Sequence, residues 1–199
     1  MTYRREIELV FDATSFKSGR TAPGPERQAN STVDLWYIAG SRELNPLPLT
    51  TGKEFFLQNI RDHCRCLPQG QTSVNALLNA VSASWMTTLE IMNDIRSLTH
   101  NCPTEITKTS DTSIVVRSSL LLRPLATNVK LEFHIHLDGS QNSLKVEVKP
   151  QCKVTYGERF NEAKIGEFLL TRITENEDKK SWADIVAELE ARLLARGRK

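Results

Sequence analysis

The stretch Thr72–Leu98, TSVNALLNAVSASWMTTLEIMNDIRSL, decides how the rest of the chain is read. Val74, Leu77, Leu78, Val81, Trp85, Leu89, Met92 and Ile95 recur at steps of three and four. That spacing puts one apolar stripe along an α-helix. Thr72 or Ser73 can cap the start, and the stretch holds neither Gly nor Pro. A helix of this reach is about 40 Å long at 1.5 Å per residue. On either side, over 6–38 and 104–156, the pattern turns strand-like. One long helix is therefore expected to join two β-containing halves, with Trp85 buried where they meet.

Working towards the N-terminus, Thr51-Gly-Lys-Glu54 has the form of a capping box, a hydroxyl followed three residues on by a carboxylate. It predicts a helix with Phe56, Ile60, Cys64 and Leu67 inward, ended by Pro68 and Gly70. Asn45-Pro-Leu-Pro-Leu49 fits neither helix nor central strand, because each proline lacks a donor; it reads as an extended connector with Leu47 and Leu49 inward. Val33, Leu35 and Tyr37 alternate with Asp34, Trp36 and Ile38, and Ile7, Leu9 and Phe11 alternate with Glu8 and Val10. Both runs predict strands. Ser15–Ser31 is rich in Ser, Gly, Pro and Asn, a loop with disorder expected over Gly19–Gln28. Asn30-Ser-Thr32 matches a glycosylation pattern but reads as polar loop without a secretory signal. A chain that opens almost inside a strand is expected to be a fragment, with Met1 an introduced start.

Towards the C-terminus, Ile114, Val116, Leu120 and Leu122 lie in a long strand or a bulged strand pair closed by Pro124. Val129, Leu131, Phe133, Ile135 and Leu137 alternate with polar residues without a break, and Asp138-Gly139 starts a turn. Leu144, Val146 and Val148 begin another strand, which Val154 and Tyr156 extend past Pro150; a proline there indicates an edge or a bulge. Helix resumes near Asn161 with Ile165, Phe168, Leu169 and Ile173 inward. Glu175–Lys180 is a charged linker. Ser181-Trp-Ala-Asp184 is a second capping box, opening a helix with Trp182, Ile185, Leu189 and Leu193 on one stripe. Strands, two helices, strands, two helices: the fold class is α+β, with antiparallel sheets each covered on one face.

The 199 residues are 39% apolar and 25% charged, with net charge +2, so composition points to an ordinary globular chain and not to a polyanion partner. No run approaches the roughly 18 apolar residues of a membrane span, and no signal-peptide core opens the chain. Cys64, Cys66, Cys102 and Cys152 read as reduced thiols of a cytosolic or nuclear protein. No phosphate loop, dinucleotide fingerprint, nucleophile elbow or zinc-protease motif occurs. Cys64-Arg-Cys66 lacks the two-residue gap of a zinc or redox pair. His134 and His136 share a strand face, as a metal pair would, but two ligands do not make a site and Lys130 and Glu132 share that face; it reads as solvated. His63 and His100 have no acid or nucleophile partner in the pattern. No catalytic residues, no metal and no cofactor are assigned. The basic stretch Arg192–Lys199 could meet nucleic acid, an anionic partner or a groove, against the plainer reading of a cationic end that suits the helix dipole. Trp36, opposite Val33, Leu35 and Tyr37, is either core, as large aromatics usually are, or a partner contact.

Several stretches together resemble the C-terminal part of the fungal outer-kinetochore scaffold of the KMN network. They are Glu6–Phe11, Val33-Asp-Leu-Trp-Tyr-Ile-Ala39, Pro48-Leu-Thr-Thr-Gly-Lys-Glu-Phe-Phe-Leu57, Val81-Ser-Ala-Ser-Trp85, Pro103-Thr104, Arg117-Ser-Ser-Leu-Leu-Leu122, Val154-Thr-Tyr-Gly-Glu158 and Gly166-Glu-Phe-Leu169. The resemblance implies tandem RWD domains, each an antiparallel meander with helices on one face: residues 1–82 the first, lacking its opening elements, and 83–199 the second with the terminal helix. The Tyr-Pro-x-x-x-Pro turn of many RWD domains is absent, since Tyr37 is not followed by Pro. It further implies a non-catalytic nuclear module at the kinetochore. Such a module binds a peptide tail of the four-subunit MIND complex and so serves chromosome segregation and checkpoint signalling. A coiled coil with its own partner would lie upstream. No membrane and no direct nucleic-acid contact are implied. The other classes are a regulatory module of the ubiquitin or SUMO pathway and a nucleic-acid binder using the basic terminal helix. Val33–Ala39 as the last strand of the first meander would expose an edge. Val33, Leu35, Trp36 and Tyr37 are then the candidate partner-binding residues, with Phe55 on the adjoining helix, least committed to the inner stripe, as a groove wall.

Overall fold

The computed structural model describes residues 2–3, 7–11, 33–37, 50–67, 72–139, 144–176 and 180–196. Several expectations lie outside them: the loop over 15–31, the connector over 45–49, the Pro68–Gly70 stop and the last three residues of the basic tail. In chain order the elements are β1 (Thr2–Tyr3), β2 (Ile7–Val10), β3 (Asp34–Tyr37), α1 (Thr51–Cys66), α2 (Val74–Asn101), β4 (Thr104–Ser110), β5 (Ser113–Leu122), β6 (Thr127–Asp138), β7 (Lys145–Tyr156), α3 (Glu162–Thr174) and α4 (Trp182–Arg196). The class is α+β. The strands form a three-stranded sheet in the order β1-β2-β3 and a four-stranded sheet in the order β4-β5-β6-β7.

The chain divides into two compact units, residues 1–89 with 137–145, and residues 90–136 with 146–199. In the first, β2 pairs antiparallel with β3, Ile7 opposite Tyr37 and Leu9 opposite Leu35. α1 packs on β3 and buries Phe55, Phe56, Leu57, Ile60 and Cys64. Its cap is Thr50, whose hydroxyl accepts from Lys53 N–H at 3.3 Å. This lies one residue before the Thr51 expected, so Thr51 becomes the first helical residue. Burial pushes the Cys64 thiol up to about 12, leaving it protonated and unreactive.

α2 is a single helix of 28 residues, capped by Ser73, whose hydroxyl accepts from Ala76 N–H. Its buried stripe differs from the apolar pattern. Ser84 and Thr88 are fully buried, whereas Leu89 and Met92 are half-buried. The hydroxyls are satisfied locally: Thr88 donates to the Ser84 carbonyl at 2.9 Å, and Ser84 Oγ accepts from Leu144 N–H. Trp85 is fully buried.

In the second unit the inner sheet face is built from cross-strand pairs, Ile114 with Ile135, Val116 with Phe133, and Leu120 with Val129. α4 packs on β5 and α3 on α4. Trp182 stacks on Phe133, ring centroids 4.6 Å apart. The long strand expected over Ile114–Leu122 is β5, and β4 pairs with it antiparallel through a register that is irregular between Lys108 and Ser110. β7 runs through Pro150 unbroken and ends the strand order, which explains how a proline is tolerated. Ser181 and Asp184 form the expected capping box. Phe168 and Ile173 are only half-buried. The Phe168 ring instead lies beside the Arg172 and Arg192 guanidinium groups.

Candidate partner-binding surface

The two faces of β3 have opposite fates. Val33 and Leu35 are fully buried, and Phe55 is only 5% exposed, meeting Phe56 edge to face. These three side chains are core. The expectation that Phe55 stands free as a groove wall is corrected: α1 lies so close on β3 that both of its adjacent phenylalanines turn inward. Trp36 takes the other course. It is 56% exposed, so the reading of Trp36 as core is corrected too. It projects from the face opposite Leu35, and among the described residues only the Leu35 face of the sheet is covered by a helix. Across from it on β2 stands Glu8, and Val10, 50% exposed, is the diagonal neighbour opposite Asp34. Trp36 and Val10 thus make an apolar patch rimmed by Glu8 and Asp34. Tyr37 is half-buried at the strand end, its hydroxyl accepting from Lys53 Nζ at 3.2 Å.

β3 ends the strand order, so its outer edge should offer unpaired backbone groups. Two arginines of α1 close it. Arg61 donates through Nη2 to the Leu35 carbonyl at 2.7 Å, and Arg65 donates through Nε to the Val33 carbonyl at 3.0 Å. The match is geometric. Four residues of helix advance about 6 Å, and two residues of strand about 6.8 Å, so guanidinium groups at i and i+4 meet successive outward carbonyls. Both arginines then wrap to the outer face. Arg65 pairs with the Asp34 carboxylate, and the Arg61 guanidinium carbon lies 5.8 Å from the Trp36 ring centroid. Gln58 holds Arg61 from behind by accepting from Nη1 at 2.7 Å, and itself donates to Asp62. The expected backbone pairing along this edge therefore meets carbonyls that are already bonded.

The arginine clamp was not foreseen. Its trace in the sequence is the four-residue spacing of Arg61 and Arg65, on the flank of the stripe Phe56, Ile60 and Cys64, which meets β3 only once the helix is docked. The histidines are placed separately. His136 lies 2.9 Å from Ser113 Oγ, and His134 Nε2 lies 3.4 Å from Glu132, which also accepts from Arg117. His63 is buried with Nδ1 3.0 Å from the Gly139 carbonyl. Among the described residues no group of three or more His, Cys, Asp or Glu could hold a metal. No described helix is long and apolar enough to cross a membrane.

Against known proteins, residues 1–92 match the family model of the Knl1 RWD C-terminal domain. No curated protein and no solved structure matches the chain. Residues 1–92 are thus similar to the Knl1 RWD C-terminal domain, a domain of a kinetochore scaffold family. The α+β architecture with its antiparallel sheets fits an RWD domain.

Proposed function

We propose, from the premise that residues 1–92 are a Knl1-type RWD region, that this chain is a non-catalytic docking module of the kinetochore that binds a peptide tail of the MIND complex. In this reading the two compact units, which change over at 89/90 within α2 rather than at the expected 82/83, are tandem RWD domains, and the module acts in the nucleus to anchor the scaffold for chromosome segregation and checkpoint signalling. The observation that carries the site is Trp36. An indole more than half exposed beside Val10, braced by a guanidinium and rimmed by carboxylates, has the composition of a binding hot spot. Val33, Leu35 and Phe55 support it from the core rather than touching the partner, and Tyr37 fixes its end through Lys53. Because the edge carbonyls are held by Arg61 and Arg65, the tail lies across the outer face, over Trp36.

Calorimetric titration with purified MIND complex tests this. Trp36→Ala should weaken binding by about 2 kcal/mol or more, with a melt like that of wild type. Phe55→Ala should lower the melt, by about 3–5 kcal/mol of stability, and affect binding only through unfolding. Full affinity in Trp36→Ala would remove the patch from the interface.

A further inference from the structure

The edge of the four-stranded sheet is finished differently. From Lys145 to Thr155 β7 alternates between exposed and half-buried residues, so its backbone keeps one register of direction there. Val154 N–H points away from β6, since it donates to Glu162 Oε1 at 2.7 Å. Val148 and Val146 share that outward direction, and Pro150, which has no N–H to lose, stands between. The start of α3 covers the C-terminal part of this edge: Glu162 holds Val154, and a Cβ on Gly166 would sit 3.9 Å from the Pro150 oxygen. From Pro150 back to Lys145, no side chain among the described residues does for β7 what the arginines do for β3. β7 ends the strand order, so among the described strands none pairs with the outward groups of Val146 and Val148. The side chains of Val146 and Val148 are half-buried, so an added strand would have an apolar face to complete.

Charge selects the occupant. The exposed positions of β7 carry Lys145, Lys149 and Lys153 against one carboxylate, Glu147, which pairs with Lys149 at 3.0 Å. Lysine and proline on an edge suppress indiscriminate pairing. They do so by sign: a second copy of β7 would set lysines against lysines, whereas an acidic strand would be drawn in. We propose that the outward edge of β7 over Val146–Lys149 is a second docking site, which accepts an extended acidic segment of a partner protein as an added strand. It stands apart from the Trp36 patch and does not depend on it.

The test uses amide exchange on the whole chain, with a synthetic peptide of about nine residues, a usual strand length, alternating Val and Glu, and its counterpart alternating Val and Lys. In the free chain the Val146 and Val148 amides should exchange fast. The acidic peptide should slow them and the basic one should not. Val148→Pro deletes only an outward N–H, as Pro150 already does, and should weaken acidic-peptide binding about tenfold or more. The double change Lys149→Glu with Lys153→Glu should invert the peptide preference, and it decides alone if Val148→Pro disturbs the fold. Amides already protected in the free chain, equal response to both peptides, or preference unmoved by the charge reversal would each overturn the proposal.

Discussion

Asp94 shows how one side chain sets a pH dependence. It lies on α2 and reaches the start of α4, where its Oδ1 accepts from Trp182 N–H at 3.4 Å, while Ser97 Oγ accepts from Ala183 N–H. Desolvation raises its carboxyl from 3.8 to about 6; the Glu90 and Asp184 charges add to this and the Trp182 N–H opposes it. A raised carboxyl holds its proton in the folded state where the unfolded chain has lost it. The contribution is therefore full below about 3.8 and is lost as pH rises through about 6. Asp94→Asn keeps the acceptor and drops the charge. The half-exposed site tempers the gain to about 1 kcal/mol at pH 7.5, a melt higher by a few degrees. At pH 4 the two melts should converge; an equal gain at both pH values would exclude Asp94 as the titrating group. Neither partner of Asp94 was legible in the sequence, because Trp182 lies 88 positions away and the pattern there reports only a helix start.

At the scale of elements, periodicity identified both strands of the first half that are long enough to alternate. It missed β1, whose two residues carry no period. It placed α2 but not its true face, because the apolar count passes over Ser84 and Thr88, whose hydroxyls bond within the helix and to Leu144. It found β3 but could not say which face was covered, hence the exchange of roles between Phe55 and Trp36. The arginine clamp on β3 has a consequence for association. Arg61→Ala with Arg65→Ala would free the Val33 and Leu35 carbonyls and leave a bare edge. The double variant should self-associate with rising concentration in sedimentation velocity, with a modest stability loss of about 1–2 kcal/mol for partly exposed bonds. A monomer at all concentrations would show that something else guards the edge. The end of β7 depends on Gly157, which has φ +94°, and a Cβ there would lie 2.4 Å from Thr127 Oγ1 and 2.5 Å from the Ala126 oxygen. Both the strain and the backbone clash act on Gly157→Ala, which should lose about 2 kcal/mol or more. An unchanged melt would contradict this close approach.

For the whole molecule, composition excluded membrane spans and the motif search found no catalytic pattern, while the order of short stretches pointed to the kinetochore scaffold family. The match over residues 1–92 supports that identification. What a single chain could not display was which surface stays wet, because exposure follows from how α1 seats on β3 rather than from any local pattern. The three tryptophans make the central claim measurable, since Trp85 and Trp182 are buried and Trp36 is not. With 5-fluorotryptophan in this chain alone, fluorine NMR should give three resonances, of which one, Trp36, shifts between light and heavy water. On adding unlabelled MIND complex, that resonance should move and lose its solvent isotope shift while the other two keep their positions. A Trp36 resonance that stays in place and stays solvent-exposed in the bound state would contradict the account.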